Sequence, residues 1–478
     1  MSTFATTALE VPAVIRGEVI TDGLTAFATR GGDQEFHVPD PAGLVARLPL
    51  PDPGSLRELT ALSFDDIAGY LAELGARLAL DDNDYLQQAM ACSSVWSDAT
   101  PPLVEDSYRQ LQRAFEPALV RETAERAIGI DYLEGWPEVA FPGGRTAAVH
   151  AMGARVLHII AGNSPVIAAL TIVRNAITRS DAIIKSPSND PLTATAIART
   201  MVDMAPDHPI TRHLSVAYWK GGDEAFEQRL YQPEHVEKIV AWGGLAGVRH
   251  VTRYIQPGLE LITLDPKRSA TVIGPEAFAD EQTLRAVARR TAADVGIGNQ
   301  LYCVNARVIF AITGTDAAGI DRAERLGRLV YEEIQALPAS QSTAAKRFDP
   351  GLRAEIDALR VGDWYRVVGG EHDDGAVIVS MLDEPVDFYP SLGGRVANIV
   401  PVDSIAEVLP HINTYTQTIG IYPETLKKQL RDLLPFYGAQ RLVSLGDATR
   451  LASPGLPQDG IEPLRRSVKW IVEESSRS

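Results

Sequence analysis

Three observations predict an α/β fold in which a doubly wound parallel sheet is followed by a second α/β block. From residue 155 onward, short apolar runs alternate with helix-like ones at the spacing of βαβ units. A second alternation, with a helix over 280–294 and another over 323–337 and strands near 377–379 and 397–400, follows it. Between the two, the polar turn Asn299-Gln300-Leu301-Tyr302-Cys303 leads directly into the strand-like run 304–310. These features divide the 478 residues into four expected segments. Residues 1–55 form a small sheet and a Pro-rich linker, and 56–275 a helical segment with a dinucleotide-binding, Rossmann-type domain. Residues 276–425 form a catalytic domain carrying the cysteine, and 426–478 a tail that completes the cofactor domain or an oligomer interface.

Taken in order, residues 13–20 read as extended, and 48–54, with three prolines, as the linker. From Ser63, Ile67, Tyr70, Leu71, Leu74 and Leu78 recur at helical spacing, and Ser63 ahead of Asp65 and Asp66 marks the start of a helix. The core alternation then places strands at 156–160, 181–185, 214–218, 236–241 and 259–264, and helices at 166–178, 191–204 and 223–230. Ligands bind beyond the carboxyl ends of the strands in such a sheet. Gly162-Asn163-Ser164-Pro165, Lys185-Ser186-Pro187-Ser188 and Trp242-Gly243-Gly244 are therefore expected along one crevice. The tail reads as turns followed by a helix over 461–473.

Bulk properties exclude several classes of function. Hydrophobic residues make up 45%, enough to fill the cores of two or three domains. A net charge of -17 offers no attraction to phosphate backbones or anionic lipid, so neither a nucleic-acid nor a membrane-surface role is expected. Two cysteines in a chain of this length are not a disulfide framework, which fits a cytoplasmic protein. The start Met1-Ser2-Thr3-Phe4-Ala5-Thr6-Thr7 lacks the basic and apolar regions of a signal peptide, and no membrane span is expected. No metal-ligand set is assigned.

Each candidate site residue reads two ways. Cys303, at the junction of a polar turn and a strand, is either a nucleophile held rigidly at a cleft or a small core hydrophobe. Asn163 is an oxyanion donor or part of a simple turn. Lys185 contacts a cofactor ribose or phosphate, or is a solvated charge. Gly243-Gly244 admits a close ligand approach, yet it is no GxGxxG fingerprint.

The order strand-Asn, strand-Lys, strand-Gly-Gly and then Asn-Gln-x-x-Cys resembles the aldehyde dehydrogenase superfamily. Within it, His158-Ile159-Ile160-Ala161-Gly162-Asn163-Ser164-Pro165 and Ile184-Lys185-Ser186-Pro187-Ser188-Asn189-Asp190 resemble the LuxC-type acyl-CoA reductases, the fatty acid reductases of bacterial bioluminescence. Asn413-Thr414-Tyr415-Thr416-Gln417-Thr418-Ile419-Gly420 and Gly438-Ala439-Gln440-Arg441 extend the likeness, which covers about 100–470. The resemblance implies an aldehyde dehydrogenase-like fold and NADPH-dependent reduction of an acyl-CoA or acyl-protein thioester to the aldehyde through an acyl-cysteine.

Carried over residue by residue, Cys303 is the nucleophile, and Asn163 with the Cys303 N–H forms the oxyanion hole. Lys185 and Ser188 hold the adenosine ribose, with Ser164 and Pro165 beside the cofactor, and Gly243 and Gly244 pack on the nicotinamide half. Ser188 stands where NAD-using relatives commonly carry an acid, which favours NADPH over NADH. In Thr263-Leu264-Asp265-Pro266-Lys267 the position of the hydrolytic glutamate base holds Thr263, which favours thioester reduction over hydrolysis; Asp265 lies close by. Around Tyr389-Pro390-Ser391-Leu392-Gly393-Gly394 no glutamate matches the one that holds the nicotinamide ribose in other relatives. Two alternatives remain: aldehyde oxidation to acyl-CoA or free acid, and a non-catalytic place in a fatty acid reductase complex. An acyl-protein synthetase or acyl carrier as partner, and homo-oligomerisation through the N-terminal strands or the tail, are further expectations of the resemblance.

Overall fold

The computed structural model describes residues 9–30, 34–450 and 453–475. The sequence reading of residues 1–7 lies outside them. The chain forms two compact units, one from Met1–Ser97, Ser107–Asp265 and Ser453–Ser478, the other from Asp98–Asp106 and Pro266–Ala452.

In the first unit, five parallel strands lie in the order Glu260–Leu264, Lys238–Trp242, Arg155–Ile159, Asp181–Lys185, Leu214–Ala217. The chain starts in the middle, at Arg155–Ile159, and builds outward first to one side and then to the other. That order creates a switch point between Arg155–Ile159 and Lys238–Trp242, whose carboxyl ends open a crevice. Within residues 1–55, read from the sequence as a small sheet and a linker, the hairpin Ala13–Ile15/Glu18–Ile20 adds antiparallel to Leu214–Ala217. Leu9–Glu10, Glu35–Pro39 and Leu24–Ala28 of that segment form a three-stranded sheet.

The helix signals translate directly into caps. Ser63 Oγ accepts the Asp66 N–H at 3.1 Å while the Ser63 N–H donates to the Asp66 carboxylate at 3.0 Å, a reciprocal capping box opening Phe64–Arg77. Asp223 and Asp280 cap Glu224–Leu230 and Glu281–Gly296 in the same sense. The sheet strands read as uninterrupted apolar runs because both faces are covered; Leu157, Ile183 and Ile239 pack under Trp219 in one such core.

In the second unit the order is Tyr365–Gly369, Ala376–Ser380, Val396–Val402, Ala306–Ile312, Arg268–Ile273, Thr416–Tyr422, Arg441–Ser444. Only Tyr365–Gly369 runs antiparallel to its neighbour. Val396–Val402 is buried along its whole length. The helix expected at 323–337 begins earlier, at Ala317, capped by Asp316. The strand expected over 304–310 occupies Ala306–Ile312, because Val304 and Asn305 complete the turn that carries Cys303.

The tail differs from its sequence reading. Ile461, Leu464, Val468 and Ile471 fall at helical spacing, but only Pro463–Ser467 is helical. Lys469–Ser475 is a strand paired antiparallel with Thr146–Met152 over seven residues, in a sheet completed by Glu138–Ala140. A partner strand more than 300 residues away supplies the ladder, and that long-range pairing overrides a short-range period. Among the described residues, no helix is long and apolar enough to cross a membrane.

Candidate active site

In the first unit the expected crevice residues gather at one edge of the sheet. Gly162–Pro165 follows the strand Arg155–Ile159 and leads into the helix Val166–Ile177, with Pro165 at its N-cap. Asn163 is exposed on this loop, and Ser164 and Pro165 are half-buried. Asn189, to which the motif alone assigns no role, fixes the loop: its Nδ2 donates to the Gly162 carbonyl at 2.9 Å. A Cβ at position 162 would overlap the Asn189 amide, so this close approach requires glycine.

Lys185 ends the next strand and Ser188 lies half-buried in the turn after it. The Lys185 Nζ sits 5.6 Å from the ring centres of both Tyr218 and Trp219. Burial lowers its pKa to about 8, against the pull of the Glu227 carboxylate. Glu227 is itself buried and accepts from His250 and from the Tyr254 hydroxyl at 3.0 Å, a network legible only in three dimensions. Gly244 is the N-cap of Leu245–Thr252. Apart from its chain neighbours, no described atom lies within 4 Å of a Cβ built on Gly243 or Gly244; the φ of +158° at Gly243 favours glycine, and nothing around Gly244 demands it.

In the second unit the nucleophile candidate sits on a locked and strained turn. Gly298, Asn299 and Gln300 take φ values of +69°, +53° and +62°, three consecutive left-handed residues separated from Cys303 by Leu301 and Tyr302. Two of them are not glycine, a conformation that costs on the order of 1–3 kcal/mol each and persists only where the surroundings enforce it. Asn299 Oδ1 accepts the Thr343 N–H at 2.8 Å. Gln300 is buried with its amide fully used: Nε2 donates to the Ala306 and Val396 carbonyls, each at 2.8 Å, and Oε1 accepts the Val396 N–H at 2.9 Å. Asn305, wholly buried, accepts from the Tyr302 N–H at 3.0 Å and donates to Ile297 and Asp294 carbonyls at 2.9 and 3.2 Å. Ser269 Oγ donates to the Cys303 carbonyl at 2.7 Å. Asn-Gln ahead of the cysteine is thus a structural device, and Asn305 and Ser269 are partners that carry no sequence signal of their own.

A Cβ at position 298 would overlap the Tyr302 ring and would be strained at that φ. Gly298→Ala is expected to destabilise the second unit by roughly 1–3 kcal/mol and to slow alkylation of Cys303; a melting temperature and alkylation rate both equal to wild type would refute this account of the turn.

Cys303 is half-buried and stands in a cationic field. Burial depresses the Arg307 pKa, and the Cys303 sulfur opposes that shift. Arg441 is likewise depressed by burial and raised by Asp294, Asp447 and Cys303. Arg441 is held by the Ala448 carbonyl at 2.6 Å and the Asp447 carbonyl at 3.3 Å. That loop is clamped by Asp294, which accepts the Gly446 and Ala448 N–H groups at 2.9 Å each and whose pKa burial pushes up to about 6. Guanidinium groups beside a sulfur favour its thiolate. Cys92 is the opposite case: burial first and Asp190 second push its thiol up to about 11, which leaves it a packing residue. Neither cysteine forms a disulfide.

Comparison with known proteins places this geometry. The family model described as acyl-CoA reductase (LuxC) matches residues 59–470. The "Long-chain acyl-protein thioester reductase" of Photorhabdus laumondii is 30% identical over 340 residues, 70% of this chain and 65% of that protein. Its counterpart in Aliivibrio fischeri is 29% identical, over 66% of this chain and 63% of its own. The match therefore spans somewhat under two thirds of these relatives. Among solved structures, an NADP-dependent glyceraldehyde-3-phosphate dehydrogenase from Bacillus halodurans superposes with a TM-score of 0.72 at 13% identity, covering 98% of this chain and 99% of that one. The aldehyde dehydrogenase KauB from Pseudomonas aeruginosa gives 0.74 at 13% identity, with 98% and 97% covered. The fold is that of the aldehyde dehydrogenases, and the chain belongs to the LuxC acyl-CoA reductase family.

Proposed function

We propose that this protein reduces a long-chain acyl thioester, acyl-CoA or acyl-protein, to the aldehyde through an acyl-cysteine on Cys303, with NADPH as the reductant. The observation that carries this reading is the turn around Cys303: a half-buried sulfur on a backbone held by Ser269, Gln300 and Asn305, with the Arg307 and Arg441 charges acting on it. The thiolate forms a bond to the acyl carbonyl carbon, and the donor thiol leaves with its electron pair and takes up a proton. Asn163 and the Cys303 N–H are assigned to the oxyanion. NADPH, when bound, supplies the hydride that brings the acyl carbon to the aldehyde level. Breaking the carbon–sulfur bond then returns the electron pair to Cys303. Thr263, in place of a carboxylate base, leaves water unactivated, so the acyl group awaits reduction.

The first unit fits such a dinucleotide. Lys185 Nζ makes no hydrogen bond to protein among the described residues, so a buried donor is available for ribose or phosphate oxygens, and the space over Gly243-Gly244 is open. Ser188 brings no negative charge against a 2′-phosphate.

Because the Lys185 pKa is lowered to about 8, its charge is present below that pH and lost above it. Dinucleotide affinity is expected to fall as pH rises through about 8. Lys185→Met should weaken binding about ten-fold or more at pH 7 and abolish this pH dependence; a titration of NADPH fluorescence at several pH values checks both, and an unchanged profile in the variant would remove Lys185 from the site. The activity itself is tested by offering acyl-CoA and acyl-protein with NADPH and trapping the product. Aldehyde formed one-for-one with NADPH oxidised is the expected result, and free acid in its place would overturn the reading.

A further inference from the structure

A small cleft in the second unit lies against the turn that carries the nucleophile: Ser269, which holds the Cys303 carbonyl, is in its wall. Arg268, Arg307, Tyr389 and Asn413 converge on it, and the ring of His411, stacked on Phe310 with centroids 5.4 Å apart, forms an apolar side. The two guanidinium groups are close enough that Arg268 contributes to lowering the pKa of Arg307. Like charges brought together in a half-buried place are costly unless something neutralises them. Among the described residues no carboxylate lines the cleft; those of Asp383 and Glu384, next to Pro385 in its wall, act on His411. Among the described residues the Arg268 side chain has neither an ion pair nor a hydrogen bond; its backbone N–H donates to the Tyr415 carbonyl at 2.8 Å. Arg307 uses Nε on the Leu392 carbonyl at 2.9 Å and Nη1 on the Asn305 carbonyl at 3.4 Å, leaving Nη2 unused. The Asn413 carbonyl oxygen Oδ1 accepts the Tyr415 N–H at 2.9 Å, which leaves its amide nitrogen as a donor, and the Tyr389 hydroxyl has no hydrogen-bond partner among the described residues.

Two positive charges and two neutral donors without acceptors, in a chain whose net charge is -17, describe a site awaiting a multi-oxygen dianion. We propose that this cleft binds a phosphate group beside the Cys303 turn, either free phosphate or a phosphate carried by the thiol arm of the acyl donor. A carboxylate, with two oxygens and one charge, leaves part of the donor set unused, so phosphate is the better match. The donor arm as source rests on the acyl-thioester reading; binding of phosphate itself does not, and is measured without turnover.

The test is calorimetric titration of the full-length protein with inorganic phosphate at fixed ionic strength, for wild type, Arg268→Gln and Arg268→Lys. Saturable binding is expected, weakened at least about ten-fold in Arg268→Gln and largely kept in Arg268→Lys, with acetate at least about ten-fold weaker than phosphate. Because the Arg268 side chain bonds nothing in the protein, an unaltered melting temperature shows that the variant is folded. Displacement of phosphate by 4′-phosphopantetheine but not by pantetheine identifies the donor arm as the source, and failure of both to displace it identifies free phosphate. No saturable phosphate binding, equal affinity in Arg268→Gln, or acetate binding as tightly as phosphate would each overturn the proposal.

Discussion

Replacing Cys303 by alanine is expected to lower acyl-thioester reduction by about 10⁴-fold or more, the scale on which removing a covalent nucleophile acts, while NADPH binding stays within about two-fold of wild type. The asymmetry follows from the fold. The sulfur belongs to the turn of the second unit, whereas Lys185, Ser188 and the Gly162 loop that are proposed to hold the dinucleotide belong to the first. Alanine also fits the half-buried position without a clash, and it leaves in place the bond from Ser269 to the carbonyl of residue 303 and those that Asn299, Gln300 and Asn305 make. The loss therefore reports chemistry and not unfolding. NADPH oxidation with aldehyde trapping gives the first number and fluorescence titration the second; a variant that still reduces acyl thioesters at more than about one hundredth of the wild-type rate would remove Cys303 from the mechanism.

Arg307→Met is expected to slow iodoacetamide alkylation of Cys303 about ten-fold at pH 7 and to slow acyl transfer in proportion, with most of the deficit recovered at high pH. Arg307 and Cys303 influence each other's charge, and a guanidinium in a half-buried site stabilises an anion far more than it would in water. Removing the cation makes the thiolate scarcer at neutral pH without altering the thiol itself. Recovery with rising pH separates this role from damage to packing, because a displaced turn stays displaced at every pH. Arg307→Lys should keep much of the rate by restoring the charge. An alkylation rate in Arg307→Met that is reduced equally at all pH values would assign Arg307 to positioning alone, through its bond to the Leu392 carbonyl.

The architecture was legible in the sequence wherever local signals and the fold agreed. Five strands of the first unit fall within two residues of their expected places, and the Ser63, Asp223 and Asp280 caps follow from side chains that satisfy the first N–H groups of a helix. What sequence could not show was pairing across long separations. Lys469–Ser475 looks helical until Thr146–Met152 is beside it, and the hairpin Ala13–Ile15/Glu18–Ile20 looks self-contained until Leu214–Ala217 receives it.

The site divides in the same way. Cys303, Lys185 and Asn163 stood out because they sit where a strand meets a loop and because they match a family pattern. Ser269 and Asn305 support that site from positions with no signature of their own, and Asn189 and Arg441, though part of motifs that mark the family, show what they do only as a bond or a field. The arginine in Gly438-Ala439-Gln440-Arg441 marked the subfamily in the sequence; in the structure its charge acts on the Cys303 sulfur.

The most direct measurement is mass spectrometry of the intact protein after exposure to acyl-CoA and acyl-protein thioesters in the absence of NADPH. The account predicts a single acyl adduct, mapped by peptide analysis to Cys303, absent in Cys303→Ala and discharged as aldehyde when NADPH is added. An unmodified protein that nevertheless turns over when NADPH is supplied, or an adduct located on any other residue, would contradict it.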